Sequence, residues 1–129
     1  MSGLFTFGKN ERLSHRSKID DLFQKGSAFN AGFLRVVYLK AAGEKGCIRL
    51  LVSVPKRKFK KAVSRNRIKR LIREAYRLHK HELSPVLASG IELHVGIVYI
   101  GDKPNITFKE IESSLLTAFH RVLKILSLS

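Results

Sequence analysis

Apolar residues recur along the chain with two alternating periods, and these lay out its elements. Between Ser14 and Lys25, Ile19, Leu22 and Phe23 fall at i, i+3 and i+4, one face of a helix. Ser14 and Ser17 are the candidate caps and Gly26 the stop. Gly26 to Gly32 is a connector with room for a few extended residues. Phe33–Ala41 is rich in β-branched and aromatic side chains and predicts a strand. A polar, glycine-flanked loop of hairpin length follows at 42–46. Cys47–Val54 is the returning strand: Ile48, Leu50, Val52 and Val54 alternate onto one face, with Arg49, Leu51 and Ser53 on the other. Pro55 ends it, since it cannot donate to a ladder.

The period then lengthens. Ile68, Leu71, Ile72 and Ala75 are spaced i, i+3, i+4, i+7, which predicts an amphipathic helix over 62–81. Asn66, Lys69, Arg70, Arg73, Arg77 and Lys80 oppose that stripe, and Arg65 and Arg67 sit on its flanks. Ser84-Pro85 and Ser89-Gly90 break the pattern. Residues 91–100 (IELHVGIVYI) predict a third strand, apolar on both faces toward its end, which suits a central position covered by helices. Thr107 to about Leu126 is the last helix, with Thr107 and Glu110 matching a capping box and Ile106 with Ile111 a hydrophobic staple.

The order α-β-β-α-β-α predicts an α+β fold, a two-layer sandwich with a mixed β-sheet and helices packed on one side. An extra short strand after the first helix is allowed. The expected organisation is a flexible segment at 1–12 and one domain at 13–129.

Charge changes the picture. The net charge is +15, and residues 56–81 hold 12 basic side chains against one acidic, a fifth of the chain carrying most of the excess. Such a bias favours a polyanionic partner. The stretch is interleaved with Val63, Ile68, Leu71, Ile72 and Ala75, which argues against a solvated tail. A single cysteine, Cys47, excludes an internal disulfide framework and fits a reducing compartment. No apolar h-region follows Met1, so no signal peptide is expected. No apolar run approaches the ~18 residues that would suggest a membrane span.

Protein-borne catalysis finds little support. His79 and His81 are two apart with no cysteine cluster or HExxH beside them, and read as surface residues at a helix end. No G-x-S-x-G elbow or P-loop is present. Asp20 and Asp21 diverge on their helix and make a poor acid–base pair. Nucleic-acid binding is better supported, because the helical stripe offers several guanidinium forks for phosphates. For Arg65-Asn66-Arg67 two readings stand: contacts to phosphates, a hydrated cation or a base edge, and ordinary solvated arginines at a helix start. Lys56, Arg57, Lys58, Lys60 and Lys61 form a second basic set, too poor in glycine for a phosphate-cradling nest.

The run Ala62-Val63-Ser64-Arg65-Asn66-Arg67-Ile68-Lys69-Arg70-Leu71-Ile72-Arg73-Glu74-Ala75 strongly resembles the signature helix of the bacterial ribonuclease P protein family. Leu13–Gly26, ending in Phe23-Gln24-Lys25-Gly26, resembles the family's first helix, and Leu51-Val52-Ser53-Val54 the strand before the signature. The likeness covers roughly residues 12–126. It implies the protein subunit of an endoribonuclease that removes the 5′ leader of precursor tRNA. The catalyst would be a large RNA with bound Mg²⁺, and no protein side chain would be catalytic. Carried over position by position, Arg65, Asn66, Arg67, Lys69, Arg70 and Arg73 would face the catalytic RNA. Ile19, Phe23, Ser53, Lys56 and Arg57 would line the cleft for the leader. Ile19 stands where many members have an aromatic, and Phe59-Lys60-Lys61 where many have a glycine before the helix. The implied partners are the catalytic RNA and precursor tRNA, with no membrane, and the implied state is a cytoplasmic monomer outside the ribonucleoprotein.

Two other classes compete: a structural RNA binder, such as a ribosomal protein of the same sandwich type, and a DNA-binding regulator. The regulator would need a helix-turn-helix pair, and the basic helix has no compact partner helix just before it. For Phe23 a core position, beside Ile19 and Leu22, stands against an exposed one in a cleft.

Overall fold

The computed structural model describes residues 12–41 and 46–127. Helix α1 (Arg16–Lys25) is followed by strands β1 (Ser27–Ala31), β2 (Leu34–Ala41) and β3 (Cys47–Ser53). Helix α2 (Ala62–His79) runs into a 3-10 turn (Lys80–Leu83) and a short helix α3 (Ser84–Ala88). Strand β4 (Glu92–Tyr99) and helix α4 (Phe108–Ile125) complete the chain. The α+β class and the mixed sheet are as expected, and β1 is the extra strand that the connector allowed. Ser84-Pro85 opens α3 rather than a loop, because proline is tolerated in a first turn.

The four strands lie in the order β1-β2-β4-β3. β1 and β2 are antiparallel, β2 and β4 antiparallel, and β3 and β4 parallel. The hairpin expected between β2 and β3 does not form: β4 is inserted between them. Its Leu93, Val95 and Ile97 are buried on one face, and Gly96 lies beneath α1 on the other, so a central position suits it. Most of the loop expected to turn that hairpin, residues 42–45, lies outside the described residues, as does the N-terminal segment as far as residue 11. The chain's hairpin is β1–β2, closed by Gly32, whose φ of 57° suits glycine. Ser114 of α4 holds this turn: its Oγ accepts from the Phe33 amide at 3.0 Å and donates to the Glu110 carbonyl at 3.0 Å.

One sheet face carries the main core. Leu34, Val36, Ile48, Leu50, Val52, Leu93, Val95, Ile97 and Tyr99 meet Ile68, Ile72, Ala75 and Tyr76 of α2 and Ile111, Leu115, Phe119 and Val122 of α4. Tyr76 and Phe119 meet edge-to-face with centroids 6.0 Å apart. The capping box of α4 is formed by Thr107 and Glu110, and Ile106 and Ile111 are both fully buried.

Helices do not pack on one side alone. Leu13 and Leu22 close a second, smaller cluster with Val37, joined by Ile19, Leu39 and Leu51, on the opposite face. α1 therefore covers the face that α2 and α4 leave open. The physical reason is the alternation itself: Val37, Leu39 and Leu51 are apolar on the second face and need a cover. Helix α1 begins at Arg16 with no side-chain cap, so neither Ser14 nor Ser17 serves as one. Gly26 ends it in an extended conformation, and a Cβ there would lie 2.3 Å from the Leu22 carbonyl oxygen. Before α1, Leu13 donates its amide to Leu50 at 2.9 Å, and Arg12 bridges to the outer edge of β3.

Candidate nucleic-acid interface

Helix α2 carries the first surface. Ile68, Ile72, Ala75 and Tyr76 are its buried face, while Leu71 is only half-buried and Val63 is exposed. The helix is thus rotated slightly from the expected stripe, because Tyr76 takes the core position opposite Phe119. On the outer side Asn66, Arg70 and Arg73 are exposed, and Lys69 is half-buried. Glu74, the one carboxylate between residues 56 and 81, pairs with Arg77 one turn on. The Arg77 hydrogen bond holds the Glu74 carboxyl below the usual carboxylate range. The carboxylate is thereby engaged within the helix, and the stripe keeps its positive sign.

Arg65 and Arg67 behave differently from Arg70 and Arg73. Arg65 Nη1 donates to the carbonyls of Phe59 at 2.7 Å and Lys60 at 2.9 Å. Arg67 donates from Nη1 to the Pro104 carbonyl at 3.2 Å and from Nη2 to that of Ile106 at 2.8 Å. The two flanking arginines thus tie the basic loop before α2 and the β4–α4 loop onto the helix. Neither is the ordinary solvated arginine that one reading held. Lys58 adds a third tie, donating to the Ile100 carbonyl at 3.2 Å and pairing with Asp102 at 3.0 Å. Phe59 anchors the loop from below: it is buried, with its ring 5.6 Å from that of Tyr99. A groove of about 470 Å³ opens over this region, lined mainly by Arg57, Lys58, Lys60 and Lys61, with Ser64 and Asp102. Phe59 carries its own signal in the sequence, a lone aromatic in a run of cations, which the charge of the run conceals.

The second surface is the sheet face under α1. Leu22 is fully buried and Phe23 is 47 % exposed, which decides between the two positions open to Phe23: it is not a core residue. Its ring lies on the sheet at Gly96, where an added Cβ would stand 3.4 Å from Phe23 Cζ and 3.2 Å from Leu22 Cδ2. Ser53 is on the same face, half-buried at the end of β3, and Lys56 and Arg57 follow it, exposed, in the next turn. Ile19 is half-buried and packs onto the small cluster. Phe23 and Ser53 thus share the α1 face of the sheet, and Lys56 and Arg57 are exposed in the turn that follows β3, with Arg57 also lining the groove before α2. Gly96 was missed, although a glycine inside a strand pattern signals a close approach.

Other polar groups have structural partners. His79, expected at the surface, is half-buried and its Nε2 lies 2.7 Å from Glu112 Oε2, joining α2 to α4. The buried His94 bonds Glu92 at 2.6 Å on the α1 face of the sheet. Burial and the neighbouring Glu92 charge push the Cys47 thiol up. Among the described residues no three His, Cys, Asp or Glu side chains are grouped to hold a metal ion, and no helix is long and apolar enough to cross a membrane.

This geometry has close parallels. A ribonuclease P protein component from Porphyromonas gingivalis is 49% identical over 90 residues, 67% of this chain and 66% of that protein. The aligned part is just under two thirds of that relative's length. The corresponding component from Dictyoglomus turgidum is 38% identical over 120 residues, 92% of this chain and 94% of its own. A solved structure of a mutant Staphylococcus aureus RNase P protein superimposes with a TM-score of 0.68 at 25% identity, covering 94% of this chain and 92% of its own. The family model described as ribonuclease P matches residues 7–123. A basic helix on one side of a mixed sheet, an exposed aromatic on the other, and these matches lead to one conclusion: the chain belongs to the ribonuclease P protein family.

Proposed function

We propose that this chain is the protein subunit of ribonuclease P, binding a catalytic RNA through α2 and the 5′ leader of precursor tRNA on the sheet face beside α1. Asn66, Lys69, Arg70 and Arg73 present hydrogen-bond donors to the RNA directly. Arg65 and Arg67 brace the two loops beside them and offer the RNA whatever donors their carbonyl bonds leave over. Phe23 stacks on a leader base, Ser53 lines the floor, and Lys56 and Arg57 meet flanking phosphates, with Ile19 contributing apolar contact. Stacking with charge neutralisation suits a single strand of any sequence.

The holoenzyme is an endoribonuclease that hydrolyses one phosphodiester bond, and the protein contributes binding and positioning. Among the described residues no three His, Cys, Asp or Glu side chains are grouped as a ligand set of their own. In this reading Mg²⁺ is bound mainly by the RNA subunit, where it would supply the chemistry of the cleavage step. Outside the ribonucleoprotein the chain is a cytoplasmic monomer.

The observation that carries this reading is the pairing of an outward cationic stripe on α2 with an exposed Phe23 on the opposite sheet face. A purely structural RNA binder accounts for the stripe and leaves the exposed ring unexplained. The test is reconstitution with a bacterial ribonuclease P RNA at low Mg²⁺. The expected result is faster release of the leader than with RNA alone, and no cleavage by rigorously RNA-free protein. Cleavage by the protein alone, or no acceleration of the RNA, would overturn it.

A further inference from the structure

The sheet register leaves one transverse row of side chains uncovered by α1. Asn30 pairs with Arg35, Arg35 with Val98, and Val98 with Ser53, so these residues cross the sheet in a line from β1 to β3. Along each strand their neighbours, among them Phe29, Val36, Ile97 and Val52, are buried in the main core. Alternation therefore turns all four row residues to the α1 face. The adjoining row, with Val37, Gly96 and Leu51, lies under α1, and the Phe23 ring at Gly96 stands on the border between the two.

The ends of the open row are basic. At the β3 end are the exposed Lys56 and Arg57. At the β1 end Arg35 is exposed, and its Nη1 donates to Asn30 Oδ1 at 3.3 Å. Arg121 of α4 holds the other face of that edge, donating to the Asn30 carbonyl at 3.4 Å with its guanidinium 4.6 Å from the centre of the Phe29 ring, so Arg35 is the cation on the row itself. Between the ends lie Val98 and Ser53, and no carboxylate occupies the row. The row spans three strand spacings, about 14 Å, too far for one phosphate to touch both ends.

We propose that the leader crosses the sheet along this row and that Arg35, oriented by Asn30, takes a leader phosphate at the β1 edge, beyond the base stacked on Phe23. This rests on the leader-cleft reading above and adds to it a direction and a second, distal contact. The occupant is a single-stranded polyanion: cations at both ends, an uncharged floor of Val98 and Ser53, and one exposed ring match an extended chain of phosphates and bases.

The test uses holoenzyme reconstituted with a bacterial ribonuclease P RNA and precursor tRNAs whose leaders lengthen one nucleotide at a time. Wild type, Arg35→Ala, Arg35→Lys and Phe23→Ala are compared, with thermal melts to show that each variant is folded. Arg35→Ala is expected to weaken binding about two- to fivefold, the scale of one exposed charge pair. That loss should begin only at a leader length greater than the one at which Phe23→Ala takes effect. The salt slope for the long leader should fall by about 0.7, one single-strand phosphate, and Arg35→Lys should keep most of the affinity. Loss with Phe23→Ala but none with Arg35→Ala at any length overturns the distal contact and leaves the cleft reading standing. An equal loss for mature tRNA with Arg35→Ala also overturns it. If neither variant separates leader-bearing from mature tRNA, the cleft reading fails and this inference with it.

Discussion

Arg67 Nη2 donates to the carbonyl oxygen of Ile106 at 2.8 Å, joining the second turn of the basic helix to the residue that precedes the capping box of α4. The bond spans 39 positions of sequence. A guanidinium is suited to it, because its fork reaches Pro104 and Ile106 together while a lysine would reach one of them. The neighbouring Arg65 does the same for the loop on the other side. The arginines of the signature therefore divide into two that hold the protein together and two, Arg70 and Arg73, that face outward.

This division predicts different stabilities for the arginine variants. Arg67→Ala should lower unfolding free energy by about 1–2 kcal/mol, since charge-assisted bonds to partly buried carbonyls are lost. Arg65→Ala should behave similarly, and Arg70→Ala should stay within about 0.5 kcal/mol of wild type. Urea unfolding of the three variants checks this. An Arg70→Ala protein less stable than Arg67→Ala would reverse the assignment.

RNA binding should sort the same residues in another order. Arg70→Ala and Arg73→Ala should weaken affinity for the catalytic RNA without loss of stability, and each should reduce the magnitude of the salt slope by up to about 0.9 per duplex phosphate contact. Titrations at several salt concentrations give the slope. An unchanged slope in both variants would place the RNA elsewhere.

Gly96 and Phe23 give a paired prediction. Gly96→Val puts a branched side chain where Leu22 and Phe23 now lie within 3.2 and 3.4 Å of a Cβ, so α1 must lift. Overpacking of this kind costs about 1–3 kcal/mol, and leader affinity should fall with it. Phe23→Ala should melt near wild type, because the ring is 47 % exposed, yet lose roughly 1–3 kcal/mol of leader binding. A melting point lowered by many degrees in Phe23→Ala would make the ring a core element.

Glu92 sets one part of the acid sensitivity. Its carboxyl is held below the usual range first by the His94 hydrogen bond, then by the Cys47 bond and the charges of His94 and Arg49, against a desolvation that raises it. A depressed folded-state value means that the unfolded chain binds the proton first. The contribution is therefore complete above the ordinary carboxylate range and is lost as pH falls through the lowered value. Glu92→Gln should flatten the acid limb of a stability-against-pH curve, measured by denaturant unfolding at each pH. An identical limb in the variant would assign the loss to other carboxylates.

By itself the sequence determined the longer elements, because each depends on contacts within a few residues, while β1 and α3 carried no period of their own. Ile68, Ile72 and Ala75 share a helical face whatever surrounds them, Thr107 and Glu110 cap a helix across three residues, and the alternation from Ile48 to Val54 defines two faces of a strand. The concentration of charge in residues 56–81 and the signature run were legible in the same way, and with them the family. Pairing and side were not. Whether β2 meets β3 or β4 depends on which neighbour buries more of β4, an energy summed over pairs such as Leu34 with Tyr99 and Ala41 with Glu92, which are far apart in sequence and which no local period records. The cover that α1 provides over the second sheet face, the exposure of Phe23 beside a fully buried Leu22, and the carbonyl bonds of Arg65 and Arg67 are decided by the same long-range packing. A helical wheel places an arginine on a flank, and only the loop folded against that flank determines whether its donors meet a carbonyl or are left for RNA.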